Sequence, residues 1–289
     1  MPTIALSTGS LYTYGLARVF ALAAEAGFDA IEILVDHRWD SRQPAYLRRL
    51  SAEAGLPIAV VHNPFKPFVP GWPHDSLGRL RESVAVAHEV GAPVVVAHLP
   101  LRIGGARLEF FGLRRGPALL PLPLGGEKAY RDFLLNGLAS FEAEQGIKIG
   151  VENMPAKRAL GRALDIHWLN DLETLGQMPH LTLDTTHVGT WGLDLLAVYE
   201  QLKARIVHVH LSDFDGNEHR LPGSGHLPLG GLLQRLVRDG YEGAVTLELG
   251  PEVLEAEDES RVRTHLRRVV QFCRSHMSED LGRQTANDS

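Results

Sequence analysis

Six short apolar segments of the sequence end at a carboxylate or a histidine, the side chains that bind divalent metal ions where no thiolate is present. The segments are Ile58-Ala-Val-Val-His62, Val94-Val-Val-Ala-His98, Ile147-Lys-Ile-Gly-Val-Glu152, Leu181-Thr-Leu-Asp184, Ile206-Val-His-Val-His210 and Ala244-Val-Thr-Leu-Glu248. A further imidazole, His187, follows Asp184 after three residues. If the segments are parallel strands of one barrel, their last residues meet at one end of it. The pattern therefore predicts a metal site built from distant parts of the chain.

The regions between these segments have the pattern of helices that end at glycine. Helical stretches over 16–26, 43–54 and 76–90 are followed by Gly27, Gly55 and Gly91, and glycine commonly terminates helices. Further helices are predicted over 127–144, 166–175, 193–203, 229–239 and 259–275. Two more apolar segments, Thr3–Ser7 and Ala30–Leu34, come first, which makes eight strands. Eight apolar strands that alternate with helices indicate an α/β fold, a single (β/α)8 TIM barrel of the usual ~250 residues.

We expect one domain over residues 1–277. After His98 the alternation stops for an insert over about residues 99–126, which is rich in Gly, Pro and Arg and has little periodicity. A loop of this length inside a compact domain is usually a lid or a binding element. Residues 278–289 are polar, and we expect them to form a disordered tail.

Composition limits the classes of function and site. The 289 residues carry a formal net charge of -6, which gives no general attraction to nucleic acid. A single cysteine, Cys273, excludes an internal disulfide and a cysteine-rich zinc site, so His, Asp and Glu must hold any metal. The first residues lack the pattern of a signal peptide, and no apolar run reaches the ~18 residues of a membrane span. We therefore expect a cytoplasmic protein with no membrane association.

The alternation of side chains along a strand predicts which residues face the barrel axis. Glu152 shares its face with Gly150, whereas Ile149 and Val151 point to the other side. The other acid-terminated strands show the same arrangement, with small or polar residues on the face of the acid. The acids and histidines are therefore predicted to point into the barrel.

Two histidines of one strand, His208 and His210, share a face by the same rule. We expect the outer one, His210, to be a ligand and the deeper His208 to orient it by a hydrogen bond. Burying several carboxylates at a barrel mouth is costly, and a divalent cation removes that cost. The remaining histidines are interpreted as ordinary surface residues: His37, His74, His88, His167, His180, His265 and His276.

Taken together, these segments resemble the xylose isomerase-like TIM barrel superfamily. That superfamily contains sugar and sugar-phosphate isomerases and epimerases, and also apurinic-site (AP) nucleases of the endonuclease IV type. The resemblance extends from Ile4 to about Cys273. It rests on Val151-Glu-Asn153, Leu183-Asp-Thr-Thr-His187, His208-Val-His-Leu-Ser-Asp213, His219-Arg-Leu-Pro-Gly-Ser-Gly225 and Leu247-Glu-Leu249.

The resemblance to the epimerases implies one divalent ion (Mn²⁺, Mg²⁺, Co²⁺ or Zn²⁺) and a small-molecule carbohydrate substrate. The implied ligands are Glu152, Asp184, His210 and Glu248. The same resemblance implies that Glu152 and Glu248 are the catalytic acid/base pair, which moves a proton next to a metal-bound carbonyl. His187 would then bind substrate oxygens. Glu32, in the second strand, is a further candidate for binding metal or substrate.

The resemblance to the nucleases implies three zinc ions instead. His62, His98, His187 and His219 match that family's additional ligands. Asn217 departs from the pattern, because an aspartate stands two residues before the last histidine in those nucleases, and their basic stretch is also missing. These departures and the net negative charge of the chain favour an isomerase or epimerase over a nuclease that binds nucleic acid. A barrel with a vestigial metal site that serves as a binding protein is a third reading.

Arginines in two loops at the same end of the barrel are candidates for binding an anionic substrate group. Arg102, Arg114 and Arg115 lie in the insert, and Arg158 lies in the loop after Glu152. Guanidinium groups suit two-pronged contacts with phosphate or carboxylate. The alternative is a solvated loop paired with surface acids. The insert also contains apolar residues, at 110–111 and 119–124, which indicate packing within the chain or a contact between subunits. The second alternative would be a homo-oligomer.

Overall fold

The structure is a computed structural model that describes residues 1–65, 68–108, 118–125, 127–159 and 162–287. Arg114 and Arg115 lie outside the described residues. Among the helices that are described, none combines the length and apolar character needed to cross a membrane.

Twelve β-strands occur in the described residues. In chain order they are β1 (Thr3–Ser7), β2 (Ala30–Leu34), β3 (Ile58–His62), β4 (Val94–Ala97), β5 (Ile103–Leu108), β6 (Ala118–Gly125), β7 (Lys148–Glu152), β8 (Lys157–Ala159), β9 (Arg162–Leu164), β10 (Leu181–Asp184), β11 (Ile206–Leu211) and β12 (Ala244–Leu247). Eight of them close a barrel in the order β1-β12-β11-β10-β7-β4-β3-β2. Every neighbouring pair in the barrel is parallel, which confirms the predicted (β/α)8 fold.

The helices cover the outside of the barrel. They are α1 (Leu16–Ala26), α2 (Pro44–Ala54), α3 (Ser76–Val90), α4 (Lys128–Asn136), α5 (Leu138–Gln145), α6 (Leu172–Leu175), α7 (Thr185–Trp191), α8 (Leu195–Leu202), α9 (Leu229–Arg238) and α10 (Glu259–Asn287). The first three end at Gly27, Gly55 and Gly91, as predicted. These glycines have φ angles of 88°, 67° and 76°, a left-handed conformation that disfavours residues with a Cβ.

Three helical predictions differ from the structure. The helix predicted over 127–144 is divided at Gly137 into α4 and α5. The helix predicted over 166–175 is reduced to α6, because residues before it pair with the chain after β4: Trp168 N donates to Pro100 O at 2.8 Å. The last helix extends to Asn287, so the backbone of 278–287 is helical where we expected a disordered tail.

The insert after β4 is a β-hairpin where it is described, not the irregular loop that the sequence predicted. Its strands β5 and β6 are antiparallel. The sequence of β6, Ala-Leu-Leu-Pro-Leu-Pro-Leu-Gly, alternates in the way a strand does, but its prolines argued against a strand. Proline is compatible here because a two-stranded ribbon leaves one edge of each strand unpaired.

Two apolar clusters confirm which residues face the axis. The larger lies between strands and helices and contains the bulky residues, such as Ile149 and Val151. The smaller lies inside the barrel and consists of Ala5, Ala30, Val60, Val94, Val96 and Ala244. Inside β7, a Cβ on Gly150 would lie 2.3 Å from Thr182 Oγ1, so only glycine fits there. The barrel axis is thus lined by small side chains below a polar mouth.

Candidate metal centre

Seven barrel strands bring acids and histidines together at one mouth or just below it. The residues are Glu32, His62, His98, Glu152, Asp184, His210 and Glu248. All are buried except His98, whose side chain is 14% exposed. His187, on α7, and His219, on the loop after β11, join them: ligand atoms of Glu152, Asp184 and His187, and those of Asp184, His219 and Glu248, lie within 4.8 Å of one another. The structure therefore assembles the nine acids and histidines singled out from the sequence.

His210 lies at the centre of the cluster. Its Nδ1 is 2.9 Å from Glu152 Oε1, 3.0 Å from Glu248 Oε2 and 3.8 Å from Asp184 Oδ2. On the other side of the ring, Nε2 is 3.0 Å from Glu32 Oε2. The register of the strands places these groups together, because Asp184 is the direct neighbour of His210 along β10 and β11.

The electrostatic coupling of this cluster is strong. Burial alone would raise the pKa of Glu152, but the hydrogen bond and charge of His210 lower it overall. Burial opposes protonation of His210, yet the charges of Glu32 and Glu248 raise its pKa well above the ordinary value. The pKa of Asp184 is raised, chiefly by burial. The protein thus concentrates more negative charge here than its own cations balance, which is the environment that a divalent cation stabilises.

The segment from Asp184 to His187 owes its geometry to a helix start that the sequence analysis did not predict. Asp184 caps α7, and its Oδ1 accepts the N–H of His187 at 2.8 Å. Asn153 Oδ1 accepts the N–H of Asp184 at 2.8 Å, and the carbonyl of Asn153 lies 2.8 Å from His187 Nδ1. Because that carbonyl can only accept, the proton of His187 lies on Nδ1 and the lone pair on Nε2. An N-cap side chain accepts the backbone N–H three residues later, and this spacing directs both Asp184 and His187 to the mouth of the barrel.

His62 and His98 form the opposite wall of the mouth together with Phe65. His62 Nδ1 donates to Asn63 O at 2.9 Å, so its Nε2 carries the lone pair. His98 Nε2 lies 3.4 Å from Glu152 Oε2. Burial, and then the neighbouring His62, lower the pKa of His98 to about 3, so this imidazole is neutral near pH 7. The ring of Phe65 lies over His98 with a centroid separation of 4.1 Å.

Some buried atoms of the cluster form no hydrogen bond with any residue that the structure describes. They are Glu152 Oε2, Asp184 Oδ2, Glu248 Oε2, His62 Nε2 and His98 Nε2. A buried polar atom without a partner costs about 1–3 kcal/mol, so five in one place call for a bound species. The ligand atoms of His62, Glu152, His210 and Glu248 lie within 4.8 Å of one another. Oxygen and imidazole donors of this kind could hold Mn²⁺, Mg²⁺, Co²⁺ or Zn²⁺.

A second carboxylate near His187 was missed by the sequence analysis. Ligand atoms of His187, Glu218 and His219 lie within 4.8 Å of one another, and Glu218 Oε2 is 3.9 Å from His187 Nε2. Asn217 is exposed instead and donates to Asp215 at 3.1 Å. His219 has a φ of 58°, and this left-handed residue turns the loop. The comparison with the nuclease pattern concerned Asn217, whereas the acid is the next residue, Glu218.

Glu32 and His208 lie one layer deeper than the mouth. His208 was expected to be a hydrogen-bond partner of the kind that orients a ligand, and its Nε2 lies 2.8 Å from Glu32 Oε2. The same oxygen of Glu32 contacts His210, so the carboxylate stands between the two histidines. Ligand atoms of Glu32, His208 and His210 lie within 4.8 Å of one another, and the role of Glu32 in binding metal or substrate stays a prediction.

The loops above the mouth contain the arginines that were predicted to bind an anionic group, and they also contain His167. Arg102 donates through Nε to His167 O at 2.6 Å, pairs with Asp165 at 3.1 Å and stacks over Trp168. Its guanidinium therefore joins two loops. The side chain of Arg158 lies outside what the structure describes. The interpretation of His167 as a surface residue was wrong: it is 5% exposed, and burial lowers its pKa to about 4.

Known proteins resemble this chain over most of its length or over part of it. An uncharacterised protein of Mycobacterium leprae is 26% identical over 297 residues, covering 95% of this chain and 97% of the relative. A fructoselysine 3-epimerase of Escherichia coli O157:H7 is 28% identical over 88 residues, or 30% of each chain.

Solved structures share the fold at low identity. A D-allulose 3-epimerase from Methylomonas sp. superposes with a TM-score of 0.64 at 19% identity, covering 95% of this chain and 98% of the other. An AP endonuclease, family 2, from Brucella melitensis gives a TM-score of 0.60 at 20% identity, covering 87% and 94%. The family described as a xylose isomerase-like TIM barrel matches residues 20–269. This chain belongs to the family of xylose isomerase-like TIM barrels.

Proposed function

We propose that the protein is a divalent-metal-dependent isomerase or epimerase of a sugar or sugar phosphate. The observation that carries the proposal is the pair of buried carboxylates, Glu152 and Glu248, that both face His210 Nδ1. Each has an oxygen that forms no hydrogen bond within the described part of the chain. The sugar epimerases among the relatives support the same class of reaction.

The proposed ligands are Glu152, Asp184, His210 and Glu248. When bound, the ion would polarise a substrate carbonyl and make the neighbouring C–H bond more acidic. Glu152 and Glu248 lie on either side of β11 in the barrel order, so one carboxylate accepts the proton from carbon and the other group returns one. His187 presents its Nε2 lone pair to a substrate hydroxyl, and the side chains of His62 and Phe65 limit the space opposite.

The experiment is a test for proton exchange at carbon. The purified protein is loaded with Mn²⁺ or Co²⁺ and incubated in D₂O with a panel of ketoses and their phosphates. We expect deuterium to appear next to the carbonyl of at least one sugar, and chelation to abolish it. The absence of exchange in the whole panel from a metal-loaded protein would contradict the proposal.

A second function, cleavage of DNA at abasic sites, is favoured by the position of Glu218. Its carboxylate supplies an acid beside His187 and His219, where the sequence alone offered only Asn217. Nicking of abasic duplex DNA that a chelator abolishes would establish this alternative. Metal analysis adds an independent criterion, because the epimerase proposal expects about one ion per chain and the nuclease alternative expects three zinc ions.

Whether the substrate is phosphorylated depends on cations over the mouth. Lys157 is a described candidate, with Nζ 3.8 Å from Glu218 Oε1 and about half its side chain exposed. The proposed roles of Arg114, Arg115 and Arg158 rest on the sequence. A selective loss of turnover of phosphorylated sugars in Arg114→Ala, Arg115→Ala would support them.

A further inference from the structure

Three side chains form a buried group below the candidate ligands: Glu32, His208 and His210. Each has 0% relative exposure. Glu32 Oε2 lies 2.8 Å from His208 Nε2 and 3.0 Å from His210 Nε2. The two rings are 4.7 Å apart and nearly perpendicular, at 89°. One carboxylate oxygen thus holds two imidazoles from a different strand.

The contact decides which nitrogen of His210 can bind a metal. A carboxylate accepts hydrogen bonds, so the contact with Glu32 keeps a proton on Nε2 of His210, and a metal ion could replace only the proton on Nδ1. Nδ1 is the atom that faces Glu152 and Glu248. Without Glu32, the proton could move from Nε2 to Nδ1, between those carboxylates, and Nδ1 would then offer no lone pair to an ion.

His208 gives Glu32 its second donor. The space around it is apolar, because the barrel interior at this depth is built from alanines and valines such as Ala30 and Val60. A carboxylate buried there with one donor would be costly. Among the described residues, none forms a hydrogen bond with Glu32 Oε1 or His208 Nδ1, so the contacts of Glu32 Oε2 hold the arrangement.

We propose that Glu32 is a positioning residue for the metal site, which holds His210 in the ligand tautomer and orientation, and that His208 fixes Glu32. The inference rests on the metal site of the proposed function but needs no substrate. Groups in this position typically change metal affinity about 10–100-fold when they are altered.

The experiment compares Mn²⁺ affinity by isothermal titration calorimetry in the wild type and in Glu32→Gln, Glu32→Asp and Thr246→Val. Thr246 is a matched control, since it is buried beside His210 in the β11–β12 register and its hydroxyl has no partner. We expect Glu32→Gln to weaken Mn²⁺ binding about 10–100-fold, Glu32→Asp less, and Thr246→Val not at all. The visible spectrum of the Co²⁺ protein should change in Glu32→Gln and remain unchanged in Thr246→Val.

The outcomes separate this inference from the proposed function. If the wild type binds Mn²⁺ and Glu32→Gln binds it equally well with the same Co²⁺ spectrum, the positioning role is wrong and the metal site stands. If the wild type binds no divalent ion, both proposals fail. If Glu32→Gln does not fold, His208→Asn takes its place, and unchanged affinity in both His208→Asn and Glu32→Asp overturns the role.

Discussion

The two halves of the barrel bring different chemistry to the same mouth. The first half, β1 to β4, contributes Glu32, His62 and His98, whereas the second half, β7 to β12, contributes Glu152, Asp184, His210 and Glu248. Below the mouth, the first half has Val60, Val94 and Val96, and the second half has Gly150, Thr182 and Thr246. The carboxylates with unpartnered oxygens at the mouth thus belong to the second half, and the first half faces them with imidazoles.

This difference explains how a barrel can form one strong ion site although ligand-type residues surround its mouth. The two halves differ in the negative charge that they bring to the mouth rather than in the number of ligand atoms. His98 is held neutral, and the one acid of the first half, Glu32, is turned towards His208 and His210. We therefore expect ion binding and proton transfer to depend mainly on the second half.

The largest expected effect comes from removing a carboxylate of the second half. Glu248→Gln should lower the rate of proton exchange on the order of 10²–10⁴-fold, because it removes an acid/base group and an anionic ligand. Exchange of deuterium into the substrate measures the effect. Glu252→Gln, at an exposed position of the same loop, is the control. Full activity in Glu248→Gln would place the chemistry elsewhere.

A packing change tests the layer below the second half. Gly150→Ala should destabilise the protein by about 1–3 kcal/mol, because the new Cβ would lie 2.3 Å from Thr182 Oγ1. Urea denaturation measures the free energy of unfolding. In a Thr182→Ala background the cost of Gly150→Ala should shrink, since the clashing oxygen is gone. Equal costs in the two backgrounds would show that this contact is not the cause.

A smaller effect is expected from the first half. His98→Asn should lower turnover about tenfold and leave about one ion bound per chain, because His98 shapes the mouth without carrying charge. Elemental analysis and steady-state kinetics measure the two quantities. Loss of a bound ion in His98→Asn would contradict the difference between the two halves, since the first half would then bind a metal ion of its own.

The smallest expected effect concerns the pH dependence contributed by His167, on a loop of the second half. Its folded pKa of about 4 lies below the usual 6.5, so the unfolded chain takes up the proton first as pH falls. Stability is therefore lost as pH falls from 6.5 towards 4. Between pH 7 and about 5.5, the chelator-treated wild type should lose about 1 kcal/mol more than His167→Gln. Denaturation at each pH measures it; the exposed His37→Gln should behave as wild type.

The sequence determined the strands and the faces of their side chains. The bounds of Ala30–Leu34, Ile58–His62 and Leu181–Asp184 were predicted as observed, because apolar runs and terminating glycines are local features. The alternation along β7 correctly placed Ile149 and Val151 outside the barrel. These features depend on neighbours in the chain, so periodicity reveals them.

The tertiary structure alone decided which distant groups meet. Glu32 reaches His208 and His210 across the barrel, and Glu218 reaches His187 between loops. His167 is buried because its loop pairs with the chain after β4 at Leu101. Local pattern fixes the face of a side chain but not its depth, tautomer or partner. Those depend on how eight strands are staggered when the barrel closes, which is a property of the whole chain.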